Sequence, residues 1–401
     1  MHFSLKKTLS LFLYIIFIFS IAITSVSALG VGPAGANFNA NTKILRQKGI
    51  IGKTNETITP PQQKIAYFCS TTDGTNITIL LANTDGSDPV EMHQLDDIEG
   101  MIGIIGFRWS KEAQMFTLIT YESHDGYLFP MPNFYLIEND LKELVDITPS
   151  KNVKYPLGWS PDGKKLAYIS LELEESNFIL YIYDRTTDTS IQITESPSIM
   201  FGDSFWSADG TKTAYSAAGS SYLKIYLADG EGENPQQLTT DENAPDMYPS
   251  WSPDGTKIVF QKGNINTNIY VIDLETKEER ALTTDNRSML PSWSPDGSKI
   301  AFFSPLDDPE NPENPTAHIY VINSDGSDPT QLTTETCFTI ALFDSPLWSP
   351  AGDKILFTGI DGDVCVVNAD GTNLQQLVTH YEEKGFMLPI WVDDYNPNSA
   401  K

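Results

Sequence analysis

Short apolar runs alternate with polar turns along this chain, and residues 248–284, YPSWSPDGTKIVFQKGNINTNIYVIDLETKEERALTT, show the unit most clearly. Trp251 ends a first strand. Ser252-Pro253-Asp254-Gly255 then reads as a turn, proline presetting φ and glycine supplying the positive φ that reverses the chain. The pattern predicts a second strand over 257–260, a third over 268–272 and a fourth over 280–283, each bounded by polar or glycine-containing connections. Ile258-Val259-Phe260 and Ile269-Tyr270-Val271-Ile272 are continuously apolar rather than alternating, which calls for cover on both faces of the sheet. One sheet cannot supply that cover, but neighbouring copies can, and an internal period of about 40–50 residues belongs to a propeller or solenoid.

The copies can be counted. Tryptophans end a first strand at Trp109, Trp159, Trp206, Trp251, Trp293, Trp348 and Trp391, which uses all seven in the chain, at intervals of 50, 47, 45, 42, 55 and 43 residues. The turn after them reads WSPDG at Trp159, Trp251 and Trp293, WSADG at Trp206, WSPAG at Trp348 and WSKEA at Trp109. Second strands begin at Lys64, Met115, Lys165, Lys212, Lys257, Lys299 and Lys354. The first of these lacks a tryptophan strand before it and Trp391 lacks a strand after it, so the two ends complete one another. The expected fold is all-β, a seven-bladed β-propeller over residues 64–396, with six and eight blades as alternatives. Pro389 to Val392 would be the inner strand of a first blade whose other strands come from 64–95, closing the ring and removing open sheet edges.

Lys6 and Lys7 precede an apolar run from Leu9 to Ile23 and then Thr24-Ser25-Val26-Ser27-Ala28, the pattern of a secretory signal cleaved after Ala28, with an uncleaved anchor as the alternative. Residues 29–63 read as a flexible linker and 397–401 as a tail. The expected location is extracytoplasmic: periplasmic, cell-surface or secreted. Without residues 1–28 the chain has 24 basic and 53 acidic residues, a net charge of −29, which argues against nucleic acid and anionic lipid as partners. A membrane association is expected only if the leader is retained. Cys69 and Cys365 fall in apolar strands and Cys337 in a connection, matching no metal motif; a disulfide across the closing blades is one option for the strand pair. His93, His124, His318 and His380 lie in separate repeats without HxH or HxxxH spacing, and no GxSxG elbow occurs. The Asp-Gly pairs at Asp85, Asp229, Asp325 and Asp370 lack the further carboxylates of a calcium loop and read as the hairpin between third and fourth strands. No catalytic residue, metal site or cofactor is expected. Asn55, Asn76 and Asn286 head glycosylation sequons.

The repeated WSPDGxKIAF, IYV and xLT elements resemble the PD40 (WD40-like) β-propeller repeats of the TolB family, also found in the propeller domains of prolyl-oligopeptidase-type peptidases and of oligogalacturonate lyases. The resemblance implies an extracytoplasmic propeller that binds a protein or a saccharide-like ligand at one end of its channel. It marks fold more sharply than function. Three departures matter: TolB has six blades and an α/β domain before the propeller, the peptidases carry a hydrolase domain, and the lyases depend on a histidine-rich metal centre.

In a four-stranded meander the first-to-second and third-to-fourth connections share one end of the propeller, and the second-to-third and blade-to-blade connections share the other. Here the first set is tight and uniform, whereas the second varies in length and chemistry. Function gathers on variable loops held by a rigid scaffold. Tyr155, Phe201, Tyr248, Met289, Phe343 and Phe386 stand just before inner strands at that variable end. Asp203, Asp246, Asp344 and Arg287 stand beside them. These ten form the candidate binding rim. The expected function is an exported, non-catalytic propeller, a monomer, that binds or scaffolds an envelope or extracellular protein or a saccharide-like ligand. A propeller-type polysaccharide lyase or hydrolase with its site at the same end is the alternative.

Overall fold

In the computed structural model the described residues are 63–70, 77–94, 101–122, 131–138, 144–145, 153–172, 177–196, 199–200, 205–264, 266–305, 317–333, 345–359, 363–378 and 389–394. They form seven four-stranded antiparallel sheets, each a meander, arranged as the blades of a ring. Blade 1 is closed by the two ends of the chain: Ile390–Val392 pairs with Lys64–Ser70 in the register Lys64 to Val392, Ile65 to Trp391 and Ala66 to Ile390. Blades 2 to 7 begin with inner strands at Met101, Val153, Ile199, Asp246, Met289 and Leu347. The seven-bladed closure read from the repeats is the one observed. The leader and linker lie outside the described residues.

The continuous apolar strands do cover two interfaces. In blade 5, Ile258 and Phe260 pack with Ala214 and Ile225 of blade 4, while Val259 between them packs with Trp293, Ile300 and Phe302 of blade 6. Each such face removes several large side chains from water at about 25 cal/mol per Å² of apolar surface, so the core is a series of inter-blade layers rather than one central cluster.

The motif residues explain how the blades are joined. Indole N–H groups reach back to the preceding blade: Trp206 donates to the Gly158 carbonyl at 3.4 Å, Trp251 to Phe205 at 3.4 Å, Trp348 to Ser292 at 3.3 Å and Trp391 to Leu347 at 2.9 Å. Trp159 uses the Thr117 hydroxyl instead, at 3.0 Å, and Trp109 the Asp393 carbonyl of the closing segment, at 3.1 Å. Trp293 is the exception, its buried Nε1 having no acceptor. The threonine of each LT element extends the ladder where the fourth strand ends, with Thr239, Thr283 and Thr333 Oγ1 accepting the third-strand N–H of Ile225, Ile269 and Ile319.

The SPDG turn is braced by its own side chains. Ser252 Oγ donates to Asp254 at 2.6 Å and accepts the Lys257 N–H at 2.9 Å, while Asp254 accepts the Thr256 N–H at 3.0 Å. Gly255 and Gly297 hold φ of 68° and 71°, as the turn assignment requires. A correction falls on the fourth blade: the hairpin glycine with positive φ is Gly232, at 79°, not the Gly230 of the Asp229-Gly230 pair. The Asp229 carboxylate accepts the N–H groups of Glu231 and Glu233 and so occupies the place of the hairpin's first residue, two positions before the turn aspartate of other blades.

Candidate functional site

The variable end is best defined at blades 4 to 6. The inner strands there read Asp246–Trp251 and Met289–Trp293, each with a proline two residues before its tryptophan. Proline is tolerated because an inner strand has no pairing partner on its channel side. Register breaks between Met247 and Ser250, and again between Met289 and Ser292, so the chain swings out of the ladder at both prolines. The residues before them, Tyr248 and Leu290, sit at φ of 55° and 52°. Left-handed backbone at a bulky residue costs about 1–2 kcal/mol and persists only where surroundings over-determine it. Here they do: Leu290 is buried, and its N–H donates to the buried Gln261 side chain at 3.3 Å. Tyr248 reaches from blade 5 to pack, half-buried, against the blade 6 cluster of Leu290 and Phe303, where Met289 also packs.

At the head of the blade 5 inner strand, on the same end, lies an ionic network joining blades 4 and 5. Lys224, in the third strand of blade 4, and Asp246 have side chains at 0% exposure and pair at 2.9 Å. Lys224 Nζ also donates to the carbonyl of Ala244 at 2.7 Å and to that of Asp241. Lys262 adds a second cation, 3.0 Å from Asp241, 2.6 Å from Glu279 and 3.9 Å from Asp246 Oδ1, which itself accepts no hydrogen bond. Burial raises the Asp246 pKa, against the pull of Lys224. Lys262 is also raised: burial opposes its charge, and Glu279 and Asp241 outweigh that. With Lys224 fully enclosed and committed to three acceptors, the arrangement is a lock between blades rather than an acid–base centre open to substrate.

Of the ten rim candidates, the structure brings Tyr248 and Met289 together on the blade 6 cluster and places Asp246 in the buried network. Arg287 is exposed, and its backbone bridges Thr267. Tyr155 stands apart, half-buried against the blade 3 and 4 layer of Phe205 and Tyr215. Phe201, Asp203, Phe343, Asp344 and Phe386 lie outside the described residues. The opposite end is not featureless: a polar groove of about 460 Å³ runs between blades 6 and 7, lined by Asp296, Lys299, Asp353, Lys354 and Asp370 among others. Its carboxylates are bonded within their own turns, to Ser294, Ser349 and Thr372.

Sequence reasoning missed Lys224, although a lysine inside the apolar run Leu223-Lys224-Ile225-Tyr226-Leu227 was a visible anomaly. At the corresponding place in other third strands stand Asn268, whose Oδ1 accepts the Asn286 N–H at 2.9 Å, and His318, whose Nδ1 lies 3.3 Å from Thr333 Oγ1. His318 is buried, its pKa lowered by that burial. Among the described residues no group of three or more His, Cys, Asp or Glu side chains is placed to hold a metal ion. His124 and His380 lie outside the described residues.

A closed ring of seven meanders, stapled by inner-strand tryptophans and turned by SPDG elements, defines a β-propeller of the WD-like type. It is TolB-like: residues 133–264 match the family described as PD40, TolB beta propeller domain. An uncharacterized protein of Agrobacterium fabrum is 29% identical over 254 residues, covering 59% of this chain and 80% of its own. The Tol-Pal system protein TolB of Xanthomonas campestris is 36% identical over 73 residues, a stretch that spans 18% of this chain and only 16% of that relative. Among solved structures, an oligogalacturonate lyase of Vibrio parahaemolyticus superposes with a TM-score of 0.54 at 17% identity, covering 78% of this chain and 92% of that one; at such identity the likeness is one of fold.

Proposed function

We propose that this chain is an exported, non-catalytic propeller that binds or scaffolds a protein or saccharide-like ligand in the cell envelope, through the variable end of blades 4 to 6. The observation that carries the reading is the pair of left-handed, bulky residues Tyr248 and Leu290 at the heads of adjacent inner strands. Backbone strain of this kind gathers at ligand clamps and recognition sites, and here it falls on an aromatic ring and on the residue next to Met289, beside a buried ionic lock at the same end. Extracytoplasmic location rests on the Lys6–Ala28 leader pattern and on the partial likeness to a protein of the Tol-Pal system.

The test is capture from cell-envelope extract together with a glycan array, using the chain from residue 29. Tyr248→Ala with Met289→Ala should weaken capture at least about tenfold with little change in melting temperature, while Asp254→Asn or Asp296→Asn in the turns should leave capture intact. A large loss of stability in the rim variant would make these side chains inter-blade core and sink the reading. Cleavage of an array glycan by the purified protein would move the assignment to the lyase or hydrolase alternative.

A further inference from the structure

Among the described residues, six of the seven outer strands are short, with 5, 2, 2, 3, 2 and 4 residues. The seventh, Thr189–Ser196 of blade 3, has 8. Its sequence, TSIQITES, contains no proline or lysine, the usual devices that blunt an edge. Residues 189–192 are all exposed, and Ile191 at 53% is among the most exposed large apolar side chains described. The bulge in this strand leaves Ile193 packed against Gly232 of blade 4, whose own outer strand, Gln236–Gln237, is only two residues long. Residues 189–192 therefore stand clear of the neighbouring blade, whereas Ile193 and Ser196 touch it, Ser196 Oγ accepting the Ala218 N–H of blade 4 at 3.1 Å.

The chain itself contains a segment suited to that edge. Before residue 64 lie Lys6, Lys7, Lys43, Arg46, Lys48, Lys53 and a single acid, Glu56, so the 26 basic and 53 acidic residues of the whole leave 20 against 52 for residues 64–401. The stretch 43–53, KILRQKGIIGK, is basic and apolar, tethered to a strongly acidic ring. We infer that residues 46–53 add to the outer edge of blade 3 as an antiparallel fifth strand. Acids flank the exposed edge seven residues apart, at Asp188 and Glu195, and Arg46 and Lys53 are seven residues apart in the segment. Up to the bulge, one antiparallel register sets Lys53 opposite Asp188 and Ile50 opposite Ile191, which pairs the first charge and covers the exposed isoleucine; beyond the bulge the count slips by one residue, leaving Glu195 within reach of the long Arg46 side chain.

The direction also suits the chain path. Thr189 follows the third-to-fourth hairpin, so the antiparallel segment leaves with Lys53 at the turn end of the ring, the end at which Lys64 enters blade 1. The 11 steps from Lys53 to Lys64 extend to about 36 Å for the path over the turn end of blade 2.

Hydrogen exchange by mass spectrometry on the chain from residue 29 tests this. Outward amides of residues 189–196 should exchange at least about tenfold faster in Ile191→Lys and in Arg46→Glu/Lys53→Glu than in the parent chain. The charge swap Arg46→Glu/Lys53→Glu/Asp188→Lys/Glu195→Lys should regain protection. Near-UV circular dichroism of the tryptophans reports that each variant keeps its ring. Equal exchange of the edge in parent and charge-reversed chains would overturn the inference. Protection that appears only as protein concentration rises would overturn it equally, since the occupant would then be a second copy.

Discussion

Replacing Lys224 by methionine keeps the length of the side chain and removes its charge. The Asp246 carboxylate would lose the cation at 2.9 Å and keep only Lys262, 3.9 Å from its other oxygen, while the Asp241 and Ala244 carbonyls lose their shared donor. At an effective dielectric near 20, a pair at this distance attracts by about 6 kcal/mol gross, most of it offset by the cost of drying both ions. Net loss on removing one partner of a buried pair is about 3–5 kcal/mol, because the other is left uncompensated. Lys224→Met should therefore lower the urea midpoint sharply, whereas Lys224→Met/Asp246→Leu should recover most of the loss. Equilibrium unfolding followed by tryptophan fluorescence, with parent, both single variants and the double, gives the coupling directly. Raising salt to 1 M should leave it nearly unchanged, since both groups are enclosed. A Lys224→Met midpoint within about 1 kcal/mol of the parent, or a double variant worse than either single, would refute the assignment of this pair as an inter-blade lock.

Gly163 and Gly255 occupy the same SPDG position at φ of 66° and 68°, but a Cβ at Gly163 would stand 2.4 Å from the Ala113 backbone nitrogen and one at Gly255 would meet nothing within 4 Å. Alanine should thus cost about 1 kcal/mol at Gly255, from φ alone, and clearly more at Gly163, as read by thermal melting. The turn aspartates Asp162 and Asp209 are held at about 2, chiefly by hydrogen bonds from Ser160 and Ser207, so their contribution is present above the unfolded value and lost only as pH falls through about 2. Ser160→Ala/Ser207→Ala should move the acid-unfolding midpoint upward. His318 has the opposite sense: its pKa is lowered by burial, so stability should decline as pH drops below the unfolded histidine value of about 6.5, and His318→Gln should flatten denaturation midpoints measured between about pH 7.5 and 5.5. Deleting residues 386–401 removes the inner strand Ile390–Val392 and should abolish a single cooperative melt.

The ring was legible because its determinants are local and repeated. Proline and glycine fix the turns, and each tryptophan marks one inner strand whatever the length of the loops between. The hairpin of blade 4 was misplaced by two residues because Asp229-Gly230 and Glu231-Gly232 offer two glycines, and only the geometry of the Asp229 carboxylate decides between them. Of the rim candidates, the sequence tells the position along the chain but not the packing. An aromatic before an inner strand announces a position near the channel, but the left-handed φ of Tyr248 and Leu290 runs against the extended preference of a residue before proline, so no propensity argument reaches it. Asp246 reads as a rim carboxylate because its main partner, Lys224, lies 22 residues away in a strand that faces it only once blade 4 meets blade 5; Lys262, opposite it within blade 5, is the nearer signal in the sequence.

The closing strand has a consequence in time as well as in space. The inner-strand tryptophans hold each blade to its predecessor, by an indole hydrogen bond or, at Trp293, by packing alone, so a chain emerging from its N-terminus could settle blade upon blade, except at the start. Trp109 of blade 2 waits for Asp393, Gln114 waits for Asp394, and the strand Lys64–Ser70 has no inner neighbour until Ile390–Val392 arrives. The first sheet to be made is the last to be finished. Throughout synthesis one bare edge of the array stays exposed, and that interval, rather than the finished ring, is when the chain is open to pairing with the wrong strand.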